Sequence, residues 1–548
     1  MSSSSERGSI RAQLSPAGIV IGVIGCVIIT TSSVYTALKM GALPWPTIFT
    51  SITALVLLRA LGRRSLNEAN ITQVIMSAGS MVAGGLAFTI PGIWMLGLAD
   101  TVSVVQLLSV ALGGTLLGLV CTALIRRRFV DESGLEYPIG TAAAETLQAS
   151  EAGGSTGRRL FASMGLAGLY AVLRDAFGLI PSMLFALPIP GVAFGIYNSP
   201  MMLSVGFLVG AGAVTAQLAG GLIANFGVIV GGTAAGLVDL ATADGIVKSL
   251  GMGLMMGSGL GVVVKDILPK ARAWFAPSVG GAATDIESRA DAGALAIITA
   301  VAALIVCVGL DLGPVVAVVV VLLSFVTTIM SAQSVGQTGI DPMEIFGLIV
   351  LLIVAAISDT AGTGLFLVAG VVAVTCGLAG DVMSDFKTGA IIGTSPRAMW
   401  AGQAIGALIG SFVSVAVLVA LAGAYGLDAF GPGRAFVSAQ ASVVATMVSG
   451  IPSVPAFVTG VVGGIVLYVA GLPAMMFGLG VYLPFYMTLS MFLGSMAKFA
   501  FGRVMRARGV DARKSGEAGV VVASGLLGGE SIAGVVLALV SVVTGMLG

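Results

Sequence analysis

The sequence predicts an all-α polytopic membrane protein. Three observations predict it: scarce charge, long unbroken apolar runs, and basic clusters that fall between those runs on alternate turns. Only 9% of the residues are charged and 57% are apolar, whereas a soluble domain carries roughly 25% charged residues. A chain of 548 residues with so few charges cannot cover its surface against water, and its mean hydropathy of +1.07 places it in lipid. The runs are continuous, which excludes the short alternating segments of a transmembrane barrel. At about 20 residues per crossing, with short loops, the length accommodates about fourteen to sixteen transmembrane helices.

The first elements are the most regular. Met1 to Leu14 is polar and Ser-rich and lacks the pattern of a cleaved signal peptide, so it reads as a cytoplasmic tail (residues 1–14) ahead of a first span that acts as an uncleaved signal. Ala17 to Tyr35, Thr47 to Leu61, Val74 to Leu98 and Val102 to Ile125 follow as spans. Arg7 and Arg11 precede the first, Arg59, Arg63 and Arg64 follow the second, and Arg126, Arg127 and Arg128 follow the fourth. The turn around Asp100 carries no base, and Lys39 is the one exception. Positive charge marks the cytoplasmic side, so the N-terminus lies inside a prokaryotic cell membrane.

Further candidate spans are Leu160 to Phe177, Met202 to Asn225, Leu250 to Val264, Ala294 to Leu310, Pro314 to Met330, Phe346 to Ile357 and Leu365 to Leu378. Trp400 to Leu421, Val437 to Ser449, Ala456 to Ala470, Gly478 to Phe499 and Val520 to Leu547 complete them. Between them lie short Gly-rich, semi-polar pieces: Gly140 to Gly154, Phe226 to Asp244, Gln333 to Glu344 and Asp381 to Arg397. These read as broken or re-entrant segments, where carriers place their sites. The basic stretch Arg503 to Glu517 reads as a cytoplasmic loop. Pro200 to Gly210 echoes Pro484 to Gly494 in size and polarity, and weaker echoes join Gly41–Pro44 to Gly339–Pro342 and Ile71–Gly79 to Lys387–Ser395. Two related halves are therefore expected, residues 15–275 and 293–548, with a linker at 276–292.

Composition also bounds the function. The sequence contains no histidine, so no His-Glu-x-x-His metalloprotease motif exists, and no nucleophile elbow stands in a suitable context. No Walker A loop marks a primary pump. Cys26, Cys121, Cys307 and Cys376 are isolated in apolar runs and read as core residues, so neither a metal nor a cofactor is expected. The net charge of +1 says nothing about partners; the expected partners are a small solute, protons and the bilayer, with no nucleic acid. A secondary carrier is the leading reading, with a channel or facilitator next and an intramembrane enzyme last.

Three strings stand out early: Tyr35-Thr-Ala-Leu-Lys-Met-Gly41 with Pro44 and Pro46, Leu66-Asn-Glu-Ala-Asn-Ile-Thr-Gln73 with Ser77-Ala-Gly79, and Glu136-Tyr-Pro-Ile-Gly-Thr-Ala-Ala-Ala-Glu145. Later come Gly380-Asp-Val-Met-Ser-Asp-Phe-Lys-Thr-Gly389 running to Thr394-Ser-Pro-Arg397, Gly480-Val-Tyr-Leu-Pro484 and Ala523-Ser-Gly-Leu-Leu-Gly-Gly-Glu530. Together they resemble the oligopeptide transporter family in its prokaryotic and yellow-stripe-like branch, in order and over essentially the whole chain. The Asn-Pro-Gly and Lys-Ile-Pro-Pro-Arg strings of the eukaryotic peptide branch are missing, and Ser80 stands where related sequences often carry a glutamate. The resemblance implies a helix bundle that carries short peptides or metal–chelate complexes on the proton gradient, and a possible homodimer.

An ionisable group at membrane depth costs about 2.5–3.5 kcal/mol on insertion scales, so each is a candidate for function. Without histidine, carboxylates must carry any coupled proton. The candidates are Glu68, Glu145, Asp341, Glu344, Asp359, Asp381, Asp385 and Glu530. Glu145 and Glu530 rank first because they sit in small, apolar stretches. Asp341 precedes Pro342 in a Gly/Gln-rich break, and Glu68 lies near Arg63 and Arg64, where a surface ion pair is equally expected. Asn67, Asn70, Thr72 and Gln73 offer uncharged donors and acceptors for a peptide or chelate, with helix capping as the alternative for Asn70 and Thr72. Lys387 adds a positive charge, and Tyr482 and Tyr486, one turn apart, line a cavity or mark an interfacial belt. Gly79, Gly84 and Gly85 read as close helix packing.

Overall fold

The computed structural model describes residues 13–547 except 42, 44–45, 150–155, 263, 266–268, 270–288, 340, 361 and 450. Most of the expected linker, residues 276–288, therefore lies outside the described residues. The chain is helical throughout apart from one hairpin. Its first helices are α1 (Pro16–Met40), α2 (Thr47–Ala60), α3 (Leu66–Ala87), α4 (Pro91–Met95), α5 (Val104–Arg126), α6 (Pro138–Ala149) and α7 (Thr156–Asp175). Strands β1 (Met183–Ile189) and β2 (Val192–Tyr197) pair antiparallel. There follow α8 (Pro200–Val209), α9 (Ala211–Leu222), α10 (Leu240–Val262), α11 (Arg289–Leu304), α12 (Pro314–Thr338), α13 (Met343–Ile357), α14 (Thr363–Ile392) and α15 (Pro396–Tyr425). The last are α16 (Ala439–Ser449), α17 (Val454–Val469), α18 (Ala474–Tyr482), α19 (Phe485–Ala507) and α20 (Ala512–Leu547).

Among the described residues, eight helical stretches are long and apolar enough to cross a membrane, fewer than the fourteen to sixteen expected. Dividing apolar length by crossing length overlooks the breaks that shorten other helices. Gly210, at φ 101°, interrupts the run Met202 to Asn225 between α8 and α9, and the Leu483–Pro484 step interrupts the run Gly478 to Phe499 between α18 and α19. Five apolar helices of 10–17 residues remain as shorter elements. A second correction runs the other way. Asp381 to Ile392 is no break but the second half of α14, a continuous helix of 30 residues. It stops where Gly393, at φ 89°, takes the left-handed geometry and sends its N–H to the Gly389 carbonyl at 2.7 Å.

The chain separates into two compact units, each drawing on both ends of the sequence. The first comprises residues 1–38, 45–157 and 266–428, and the second residues 39–44, 158–265 and 429–548. In the first, α14 is the inner helix, and α3, α5, α6, α12 and α13 pack on it. The most apolar 18-residue windows within Leu66–Met95 and Thr363–Ile392 are 100% buried, whereas the one in Ala292–Gly309 is 11% buried. Small residues permit the tight crossings. A Cβ added at Gly410 of α15 would lie 2.2 Å from the Gly79 Cα of α3, and one at Gly406 would lie 2.3 Å from the Ile75 carbonyl. Lipid supplies no hydrophobic drive between helices, so such close contact is what holds them.

In the second unit, α10 packs on α17 through Gly253, Gly257, Gly460 and Gly464, where any added Cβ would meet backbone within 2.4 Å. The echoed segments lie side by side: Gly206 of α8 meets the Met491 carbonyl of α19, and Gly494 meets the Leu203 carbonyl. Phe194 of β2 stacks on Phe485 at 5.4 Å, which ties the hairpin to the start of α19.

A Gly410→Ala variant is expected to lose about 1–3 kcal/mol of stability through overpacking, read as a lowered melting temperature in detergent. Gly165→Ala, where nothing lies within 4 Å of the added Cβ, should leave that temperature unchanged or slightly raised.

Candidate functional site

The inner helix of the first unit carries two carboxylates, Asp381 and Asp385, both fully buried. Four residues apart on a helix, they lie on one face. Asp385 is well supplied with donors. Gln73 Nε2 donates to Oδ1 at 2.8 Å, Gln403 Nε2 donates to Oδ2 at 2.6 Å, and Ser77 Oγ donates to Oδ2 at 3.4 Å. Gln73 is itself oriented, because Thr50 Oγ1 donates to its Oε1 at 3.1 Å. Asp381 is poorly supplied. Thr47 Oγ1 donates to its Oδ1 at 3.4 Å, and its Oδ2 has no partner among the described residues. None of the ion pairs among the described residues involves either acid.

Several other candidates gather on the same helices. Asn70 Nδ2 donates to Thr394 Oγ1 at 3.0 Å, and Thr394 Oγ1 donates to Asn67 Oδ1 at 2.9 Å, bridging the start of α3 to the turn after α14. Thr72 is buried with its hydroxyl unpartnered. Glu68 accepts from Ser15 and from Arg63 Nη1 at 2.5 Å, so the anticipated ion pair with Arg63 exists. Lys387 Nζ donates to the Leu135 carbonyl at 2.9 Å and lines an open cleft of about 410 Å³ with Glu136, Pro138, Thr141, Ala142 and Ile391. Half-buried Asp341 and buried Glu344 flank the start of α13. Ser331 Oγ donates to Asp341 Oδ2 at 2.9 Å, while Asp341 Oδ1 has no partner among the described residues. Glu145 stands on α6, but its side chain lies outside the described residues.

Glu530 lies in the second unit and is fully engaged. Arg174 Nη2 donates to its Oε1 at 2.9 Å, Ser199 Oγ donates to the same oxygen at 2.7 Å, and the Met201 N–H donates to Oε2 at 2.8 Å. The Met201 N–H belongs to the first turn of α8, an end that favours an anion. Arg174 also holds Asp175 at 2.7 Å and the Asn198 carbonyl at 2.6 Å, and its guanidinium lies 5.5 Å from the Tyr197 ring centre. Tyr486 sits 5.8 Å from Tyr197. Tyr482 is buried at the end of α18, and the break at Leu483–Pro484 separates it from Tyr486, so the two tyrosines do not share a helical turn.

Residues 13–264 and 285–541 match the family described as OPT oligopeptide transporter protein. The chain belongs to the oligopeptide transporter family. A Haemophilus influenzae relative, named as a provisional oligopeptide transporter, is 26% identical over 595 aligned positions that cover 93% of each chain. A Saccharomyces cerevisiae relative with the same provisional name is 34% identical over 115 residues, 20% of this chain and 16% of its own. The protein is thus a multi-pass secondary transporter.

Sequence reasoning did not find several residues of this transporter. Gln403 was hidden in the span Trp400 to Leu421, although a lone amide in an apolar helix is itself a signal of a buried partner. Arg174 was passed over in the same way near the end of the span Leu160 to Phe177. Thr47 and Thr50 open α2 and read only as a helix start. Nothing in the spacing links Thr47 to Asp381 or Arg174 to Glu530, partners 334 and 356 residues away, and Gln403 and Thr50 pair with Asp385 and Gln73 across helix boundaries.

Removing one member of a buried ion pair strands the other, at a cost of about 3–5 kcal/mol. Arg174→Met leaves the buried Glu530 without a cation and should lower the melting temperature markedly, whereas Glu530→Gln leaves Arg174 paired with Asp175 at 2.7 Å and should lower it less.

Proposed function

We propose that this transporter is a proton-coupled uptake system for short peptides or metal–chelate complexes, of the prokaryotic and yellow-stripe-like branch, in a prokaryotic cell membrane. The supporting observation is the pair Asp381 and Asp385: two buried acids on one face of one helix, with no cation paired to them among the described residues. Two neighbouring carboxylates in a dry site resist being ionised together, so the pair is a place for a proton to enter and leave. Peptides and chelates are rich in amide and carboxylate oxygens. Asn67, Asn70 and Lys387 offer matching groups, and the cleft sets Glu136 beside Lys387 for a solute with both charges.

Other features of this reading follow the basic clusters and the family. The N-terminus is cytoplasmic, and the chain is built as two related halves. A homodimer is the proposed assembly. Glu145 and Asp341 remain proposed contributors to proton transfer.

Proteoliposomes containing the purified chain, given a panel of labelled short peptides and iron(III)–chelate complexes, should accumulate at least one above its outside concentration when an inward proton gradient is imposed. The Asp381→Asn/Asp385→Asn double variant should lose at least 10-fold of that accumulation. Purely downhill flux indifferent to the pH gradient would identify a channel or facilitator instead.

A further inference from the structure

We infer that the two acids of α14 have different tasks: Asp385 remains an anion held in an amide clamp of Gln73 and Gln403, and Asp381 holds the exchangeable proton. This assignment rests on the proton-coupled reading and deepens it.

Hydrogen-bond supply carries the argument. Both Asp385 oxygens face N–H donors, Gln73 at 2.8 Å and Gln403 at 2.6 Å. A hydrogen on Oδ1 would point at the amide hydrogens of Gln73, and Gln73 is held from its other end by Thr50. Gln403 leaves its own Oε1 unpartnered in this pose, which a charge-assisted bond to an ionised Asp385 offsets. Asp381 has the opposite supply. Its Oδ2 is buried without a partner, and an unpaired anionic oxygen in a low-dielectric site costs far more than an unpaired neutral one. When the pair shares one proton, that proton resides on Asp381.

The charged surroundings agree. Asp341 closes on the backbone beside Asp381, since a Cβ added at Gly380 would lie 2.6 Å from Asp341 Oδ2, and Glu344 is buried on α13. Asp341 is an acid and disfavours a second anion beside it. Cations on or near the packed elements are engaged elsewhere. Lys387 points to the Leu135 carbonyl, Arg126 pairs with Asp131 and lies over the Phe386 ring, and Arg63 pairs with Glu68. Glu145 of α6 completes the titratable groups considered, with its side chain outside the described residues. Gln73 and Gln403 are therefore positioning residues: they act on the proton by fixing the charge of Asp385.

Infrared difference spectra of the full chain in liposomes, taken between acidic and alkaline pH, read the carbonyl stretch of each carboxyl group that gains a proton. Asp381→Asn should remove one such aspartate band, and Asp385→Asn should leave it in place. Gln403→Leu should add a new band, because Asp385 then loses a donor. A band that survives in Asp381→Asn, or disappears in Asp385→Asn, overturns the assignment, and so does a Gln403→Leu spectrum identical to wild type. Should Asp381→Asn fail to fold, Asp381→Glu serves: the band must move in frequency, and an unmoved band overturns the assignment. These spectra need no solute. Uphill uptake with a contrary spectrum sinks only this assignment, and the expected spectrum without proton-driven uptake sinks only the transport reading.

Discussion

A helix that carries two carboxylates at its core cannot border lipid, and the first unit is arranged around that constraint. Backbone and side-chain polar groups in a bilayer must find partners within the protein. The inner helix α14 meets this requirement by being buried from Leu365 through Phe386, and α3, which supplies Gln73 and Ser77, is buried from Glu68 through Ala87. Such burial in turn needs close approach. Gly85 of α3 and Gly114 of α5 both meet Val374 of α14 at distances that leave no room for a side chain. Contact with lipid falls to segments such as Ala292–Gly309, which carry no buried polar group of this kind.

The two units treat buried charge in opposite ways. In the second, Glu530 and Arg174 neutralise each other, and every Glu530 oxygen has a donor. That arrangement ties the end of α7 and the start of α8 to the middle of α20. In the first, Asp381 and Asp341 each keep an oxygen without a partner. An unsatisfied buried acid is costly to stability, and that cost is what makes these acids candidates under the proposed proton-coupled reading.

Much of this was legible in the sequence because apolar length is a strong signal. The fold class followed from composition, and α1, α2, α5 and α15 fall close to the expected spans, whereas α3 begins eight residues before its expected span and ends eleven residues before that span does. Asp385, Gln73 and Asn70 were singled out from short polar strings and do lie together. What was not legible has a common physical cause. A fall in hydropathy over Asp381 to Arg397 looks the same whether the helix breaks or enters a polar interior, and here it enters a polar interior. Glu530 stood out as a lone acid because its partner Arg174 lies 356 residues away. The hairpin was missed because β1 and β2 are apolar on both faces, and the alternation that betrays a half-buried strand is weak.

The central claim is that solute and proton move together through the unit built on Asp381 and Asp385. The most direct measurement places a pH-sensitive dye inside proteoliposomes with equal pH on both sides and then adds the transported solute outside. The account predicts that the lumen acidifies as solute enters, and that this acidification vanishes when both acids are replaced by asparagine. Solute entry with no change in lumenal pH would contradict it.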